Sequence, residues 1–176
     1  ATNNDGTITS TVRVNANIGC SFVNWTGTSA DGTIGHGLGA RPKAVWMYPI
    51  QVAANNGNTQ RVWWWEANSD GYNINNGLNE SQLVESNSTN GVVTADSSGE
   101  GTSTVFSVKE GNSSYEAVNH SSQNYMAICW KEIQGFSRFG SYTGNGAESG
   151  PFIYCGFKPA LIMIRAMDRA EGCFCY

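Results

Sequence analysis

Two histidines and five cysteines are the side chains best suited to acid–base, nucleophilic or metal chemistry in this 176-residue chain. His36 stands in Gly35-His36-Gly37-Leu38-Gly39, where an imidazole titrating near neutrality would be open to a substrate between the glycines. It is a lone histidine, and His120 has no acidic or thiol neighbour in sequence to orient it, so both read as structural residues. Among Cys20, Cys129, Cys155, Cys173 and Cys175 no pair has the two-residue gap of a zinc knuckle or a thioredoxin-like motif. The odd count leaves at least one thiol unpaired, and Cys173 and Cys175 on a strand would share one face as packing residues. Asp31, Glu66, Asp70, Asp96, Glu148 and Asp168 are scattered through loops, with no glycosidase dyad and no calcium-loop spacing. The glycine-rich stretches Thr26 to Gly39 and Thr143 to Gly150 lack the lysine and hydroxyl pair of a phosphate-binding loop and read as turns. The residues therefore nominate no catalytic group, no metal ligand and no cofactor site.

Trp63-Trp64-Trp65 could stack on sugar rings. On a strand Trp63 and Trp65 share one face while Trp64 points away, so the three cannot form one platform, and Trp64 is the candidate glycan contact. The competing reading is packing in a core or subunit interface, where Trp is favoured. Five Asn-x-Ser/Thr triplets, at Asn24, Asn79, Asn87, Asn112 and Asn119, follow from a composition rich in Asn, Ser and Thr.

The positioning elements are organised by a repeat. Trp25-Thr26-Gly27 through Pro42-Lys43-Ala44-Val45-Trp46-Met47 recurs, at a constant offset of 117 and without a gap, as Tyr142-Thr143-Gly144 through Pro159-Ala160-Leu161-Ile162-Met163-Ile164. Phe22 falls on Phe139, Asp31 on Glu148, Gly39 on Gly156 and Arg41 on Lys158, whereas His36 falls on Ile153, an apolar substitute that weighs against a catalytic imidazole. A full second copy would reach roughly residue 250, so the second unit reads as unfinished.

Composition fits a β-rich globular protein: 14% charged and 40% apolar residues, with six Trp, seven Tyr and seven Phe. A net charge of −4 with only ten Lys and Arg leaves no basic stripe for nucleic acid or for acidic membrane surfaces. No apolar run approaches the roughly 20 residues of a membrane-spanning helix, and the N-terminal residues 1–6 lack the segments of a signal peptide.

Alternation and turn signals predict strands at Thr7–Val14, Gly19–Trp25, Ala44–Tyr48 and Arg61–Glu66, a brief one at Leu83–Val84, and further ones at Val92–Val93, Ser103–Val108 and Asn124–Ile133. Thr26–Ala40 reads as a loop, and no window of helical period interrupts the series. The expected fold is an all-β antiparallel sandwich, immunoglobulin-like or jelly-roll-like, with a partial second repeat. Residues 1–17 form an N-terminal strand or arm, 18–135 the first sandwich repeat, and 136–176 the incomplete second repeat or closing strands.

Thr7-Ile8-Thr9-Ser10-Thr11-Val12, Gly35-His36-Gly37-Leu38-Gly39-Ala40-Arg41-Pro42-Lys43, Tyr125-Met126-Ala127-Ile128-Cys129-Trp130 and Gly135-Phe136-Ser137-Arg138-Phe139-Gly140-Ser141-Tyr142-Thr143-Gly144-Asn145-Gly146 carry a resemblance across nearly the whole chain. Together they resemble an uncharacterised repeated β-domain of tailed-phage virion proteins, especially those of aquatic phages. In that family the second glycine and aromatic block leads into an extended apolar segment, here Gly150 to Pro159. The resemblance implies a structural or tail-associated role on a particle.

Phe152, Ile153 and Tyr154, with Leu161, Ile162 and Ile164, are too apolar for a free sheet edge. They either close the first unit or receive a strand from a neighbouring subunit. The donor suggested by the sequence is the N-terminal strand, through Ile8, Val12 and Val14, and head-to-tail addition would propagate into a filament. The expected function is thus a non-enzymatic structural subunit of an extracellular fibre or virion surface, with copies of itself as partners. The second expectation is a carbohydrate-binding adhesin or receptor-recognition module for cell-surface glycan.

Overall fold

The computed structural model describes residues 1–50, 62–65, 72–75, 82–85, 101–108, 119–166 and 173–176, with backbone alone at 62–65, 72–75, 82–85, 165 and 173. Among these residues every regular element is a strand and every sheet pairing is antiparallel. The largest sheet runs, edge to edge, through β1 (Thr2–Asn3), β2 (Ser10–Asn15), β3 (Cys20–Thr26), β10 (Asn124–Trp130), β5 (Ala44–Pro49), β6 (Val62–Trp65), β7 (Tyr72–Asn75) and β8 (Gln82–Glu85). Two smaller sheets pair β4 (Gly32–Gly35) with β9 (Val105–Val108), and β11 (Met163–Arg165) with β12 (Cys173–Cys175).

Alternation decides which face of the large sheet is buried. Val23 and Trp25 of β3, Val45 and Met47 of β5, and Tyr125, Ala127 and Cys129 of β10 point into one apolar core. Ile34 from β4, Phe106 and Val108 from β9, and the loop residues Ile8 and Leu38 close that core from the other side. This two-sheet arrangement around one core is consistent with a β-sandwich. At its centre the Trp25 ring stacks on Tyr125 with centroids 5.4 Å apart and meets the edge of Phe106 at 5.9 Å. Each such aromatic removed from water contributes about 1.5–3 kcal/mol, so this trio anchors β3, β10 and β9 together.

At one end of β3 and β10 two loops are stitched by polar groups. The buried Asn119 amide donates to Thr28 Oγ1 at 3.0 Å and to the Ala30 carbonyl at 2.6 Å, while its Oδ1 accepts from the Thr28 amide at 3.3 Å. Gly27 donates to the Gln123 carbonyl, and a Cβ at Gly27 would clash with the His120 carbonyl oxygen, so only glycine allows this approach. The Tyr125 hydroxyl accepts from the His120 amide at 3.0 Å and donates to Gln123 Oε1 at 3.4 Å, tying strand to turn.

Several elements depart from the sequence expectation. The predicted strand Thr7–Val14 begins three residues later, because Ile8 instead makes an isolated parallel bridge to Ile34. The predicted loop Thr26–Ala40 contains β4, whose single large apolar residue, Ile34, becomes fully buried once β9 pairs with it. β7 was likewise not signalled, and Val92–Val93 lies outside the described residues. The N-terminal segment is part of the sheet: β2 lies between β1 and β3 with Val12 opposite Val23.

Candidate functional site

The His36 imidazole is fully buried, and backbone groups engage both of its nitrogens. Nδ1 accepts from the Leu38 amide at 3.1 Å, which leaves the proton on Nε2 to be donated to the Thr102 carbonyl at 3.2 Å. Burial lowers its pKa, opposed by the Thr102 hydrogen bond and by the negative charge of Asp5. With both nitrogens committed, His36 ties the 35–39 loop to the strand-entry turn before β9 and has no free position for a substrate proton or a metal.

Cys20 and Cys129 are buried free thiols on the neighbouring strands β3 and β10. Burial pushes both thiols upward, Cys129 far above the usual thiol range despite the nearby Ser21 hydroxyl, so neither offers a thiolate nucleophile. Cys155 is half-buried and Cys175 exposed, both unbridged. Among the described residues no group of three or more His, Cys, Asp or Glu side chains is placed to hold a metal, and no helix is long and apolar enough to cross a membrane.

Two surfaces remain. The first is the outer face of the large sheet, where the register aligns Arg13, Phe22, Ile128 and Trp46 in one row and Thr11, Asn24, Met126 and Tyr48 in the next. Trp46 and Tyr48 lie 5.8 Å apart in tilted contact, and the Tyr48 hydroxyl reaches Met126 Sδ at 3.8 Å. Phe22 is 46% exposed, with the exposed Arg13 and Asn24 beside it. Such a face combines stacking surface with hydrogen-bonding groups. The sequence signal for this face is the parity of 20–26 and 44–49 once the opposite parity is assigned to the core, a weaker mark than three consecutive tryptophans. Trp64, the sequence candidate, lies opposite Val45 and its side chain is outside the described residues.

The second surface is C-terminal. Phe152, Tyr154 and Leu161 are 89%, 74% and 66% exposed, and Ile153 and Ile162 are exposed with them. Ile164 is half-buried on β11. The contrast with their counterparts at the offset of 117 is consistent: His36, Val45 and Met47 are buried, whereas Ile153, Ile162 and Ile164 are not. Likewise Trp25 is buried and Tyr142 exposed. Of the three N-terminal candidates, Ile8 and Val12 belong to this chain's own core and only Val14, at 43% exposure, is open to solvent.

A family model covers residues 1–176 and is described as a domain of unknown function, DUF7483. The chain belongs to the DUF7483 family. No curated protein and no solved structure matches it. For this DUF7483 chain, the sequence-nominated residues thus divide into core members, Ile8 and Val12, and an exposed apolar group from Phe152 to Ile162 with Ile164 at its edge.

Proposed function

We propose that this DUF7483 chain is a non-enzymatic structural subunit of an extracellular fibre or virion assembly, joined to other copies through β-strand contacts. The carrying observation is the exposed run Phe152, Ile153, Tyr154, Leu161 and Ile162. Exposed apolar side chains are a liability in an isolated chain and an asset in an interface. The resemblance to tailed-phage virion domains supports the same reading. The finer fold is an immunoglobulin-like or jelly-roll-like sandwich; the Tyr125 hydroxyl bonded back to the His120 amide, near the start of β10, resembles the tyrosine corner of the immunoglobulin-like class. The sequence suggests an N-terminal donor strand and this C-terminal segment as its acceptor. The pairing of β2 with β1 and β3, and Val12 in the core, weigh against the donor and leave the C-terminal segment as the contact. Electron microscopy of the purified chain tests the proposal: regular oligomers or filaments are expected, and uniformly separate small particles would reject it.

The outer sheet face favours a second reading, a glycan-binding module, because Phe22 offers a stacking surface next to Arg13 and Asn24. Glycan-array binding that is lost in Phe22→Ala, with the thermal midpoint retained, would support it. Absence of binding, or binding indifferent to Phe22, would remove it.

A further inference from the structure

The β11–β12 hairpin has the same backbone polarity as β5. At the offset of 117, Ile162, Met163, Ile164 and Arg165 fall on Val45, Trp46, Met47 and Tyr48. Ile162 and Tyr176 exchange both amide-to-carbonyl bonds at 2.9 Å, and Ile164 lies opposite Phe174 two residues further along each strand. Successive residues of an antiparallel strand turn their N–H and C=O groups to opposite edges. Ile162 and Ile164 therefore bond towards β12, and Met163 and Arg165 present their groups to the other edge. In β5 the Ile50 amide donates to the Asn124 carbonyl at 2.8 Å, in step with the Tyr48–Met126 and Trp46–Ile128 pairs. Trp46 and Tyr48 thus bond to β10, and Val45 and Met47 turn to β6. The edge opened by Met163 and Arg165 is the edge that β10 covers in the first repeat.

Two further observations agree with this correspondence. Ser29 and its counterpart Gly146 have φ of 54° and 69°, and Gly39 and Gly156 have φ of 65° and 82°, so left-handed backbone recurs at these two equivalent positions, though not at Gly37 and Gly150. Val45 and Met47 are core residues, whereas Ile162 is exposed and Ile164 half-buried. Among the described residues, the hairpin thus has an open ladder beside β11 and apolar side chains that a further strand and its layer would cover.

We infer that β11 is an acceptor edge for an added antiparallel strand with the chemistry of β10, carrying apolar or small inward groups at alternate positions as Tyr125, Ala127 and Cys129 do. The inference goes beyond the contacts between copies proposed above and names its partner by chemistry: a strand of that alternation on a chain other than a second copy. β10 itself is held between β3 and β5, so a second copy cannot supply it without unfolding its own sheet.

The test uses the full chain and a synthetic peptide spanning Gln123–Lys131. Saturating peptide is expected to slow hydrogen exchange of the Met163 and Arg165 amides at least tenfold. Met163→Pro removes an open-edge donor without removing a β11–β12 bond, a placement an edge strand tolerates, and should weaken peptide binding at least tenfold. The same peptide with Ile128→Pro, which loses a donor that faces the acceptor edge, should not bind. Absence of protection, or equal binding by the Met163→Pro chain or the altered peptide, overturns the inference. So does self-association through β11 that the peptide cannot displace, which would make the occupant a second copy. Filaments without peptide binding reject this inference and leave the assembly reading standing; peptide binding by a chain that stays monomeric does the reverse.

Discussion

At the scale of single residues, the His36 imidazole shows how one side chain can look chemical in sequence and be structural in the fold. Its position between glycines was legible; the Leu38 amide and Thr102 carbonyl that saturate it were not, because Thr102 lies 66 residues away and no local pattern marks the contact. The same burial gives a pH signature. Above about pH 6.5 the imidazole is neutral in both folded and unfolded chains and adds no pH dependence. Below that value the unfolded chain takes up the proton first, because the folded pKa is lowered, so stability falls as the pH drops. The slope from this group is at most about 1.4 kcal/mol per pH unit. The denaturation midpoint should therefore be lower at pH 5 than at pH 7.5, and urea titrations of His36→Gln should show a smaller difference between the two.

At the scale of elements, the loop pair 27–30 and 119–123 fixes the end of β3 against the start of β10. Asn119→Ala would strip the partners from the Thr28 amide and the Ala30 carbonyl, at a cost of about 1–3 kcal/mol. Gly27→Ala would push a methyl group into the His120 carbonyl and should cost at least as much. Thermal or urea unfolding of both variants checks the pair, and near-wild-type midpoints would contradict the geometry. Asn119 also heads an Asn-x-Ser triplet, and its buried, bonded amide accounts for its presence without any glycan. β2 gives a sharper prediction. Deleting residues 1–14 would remove Ile8 and Val12 from the core and most of a paired strand. The truncated chain should lose its cooperative unfolding transition, and a truncated chain that melts like the parent would contradict this placement of β2. Strands with clean alternation, β3, β5 and β10, were readable from the sequence. β4 was not: Gly32-Thr33-Ile34-Gly35 owes its strand to pairing with β9, a tertiary effect on a glycine-rich segment.

At the scale of the whole molecule, the repeat predicted that apolar residues beyond 150 would need partners, and the structure leaves those residues exposed. What the sequence could not convey is how differently the two ends are buried, since Ile8 and Phe152 look equally apolar until one is seen in a core and the other in solvent. The outer sheet face was hidden for a related reason: the same alternation that marks Val45 and Met47 as core residues leaves Trp46 and Tyr48 outside, and the sheet order alone brings Phe22 and Ile128 beside them. The central claim is that the exposed C-terminal segment joins subunits. Because Phe152 and Leu161 are solvent-exposed, Phe152→Lys with Leu161→Lys should change the stability of the core by only about 0.5 kcal/mol per site. The most direct measurement is electron microscopy of the purified wild-type chain beside this double variant. The account predicts regular oligomers or filaments for the wild type and separate folded particles for the variant; separate particles for both, or unchanged assemblies in the variant, would contradict it.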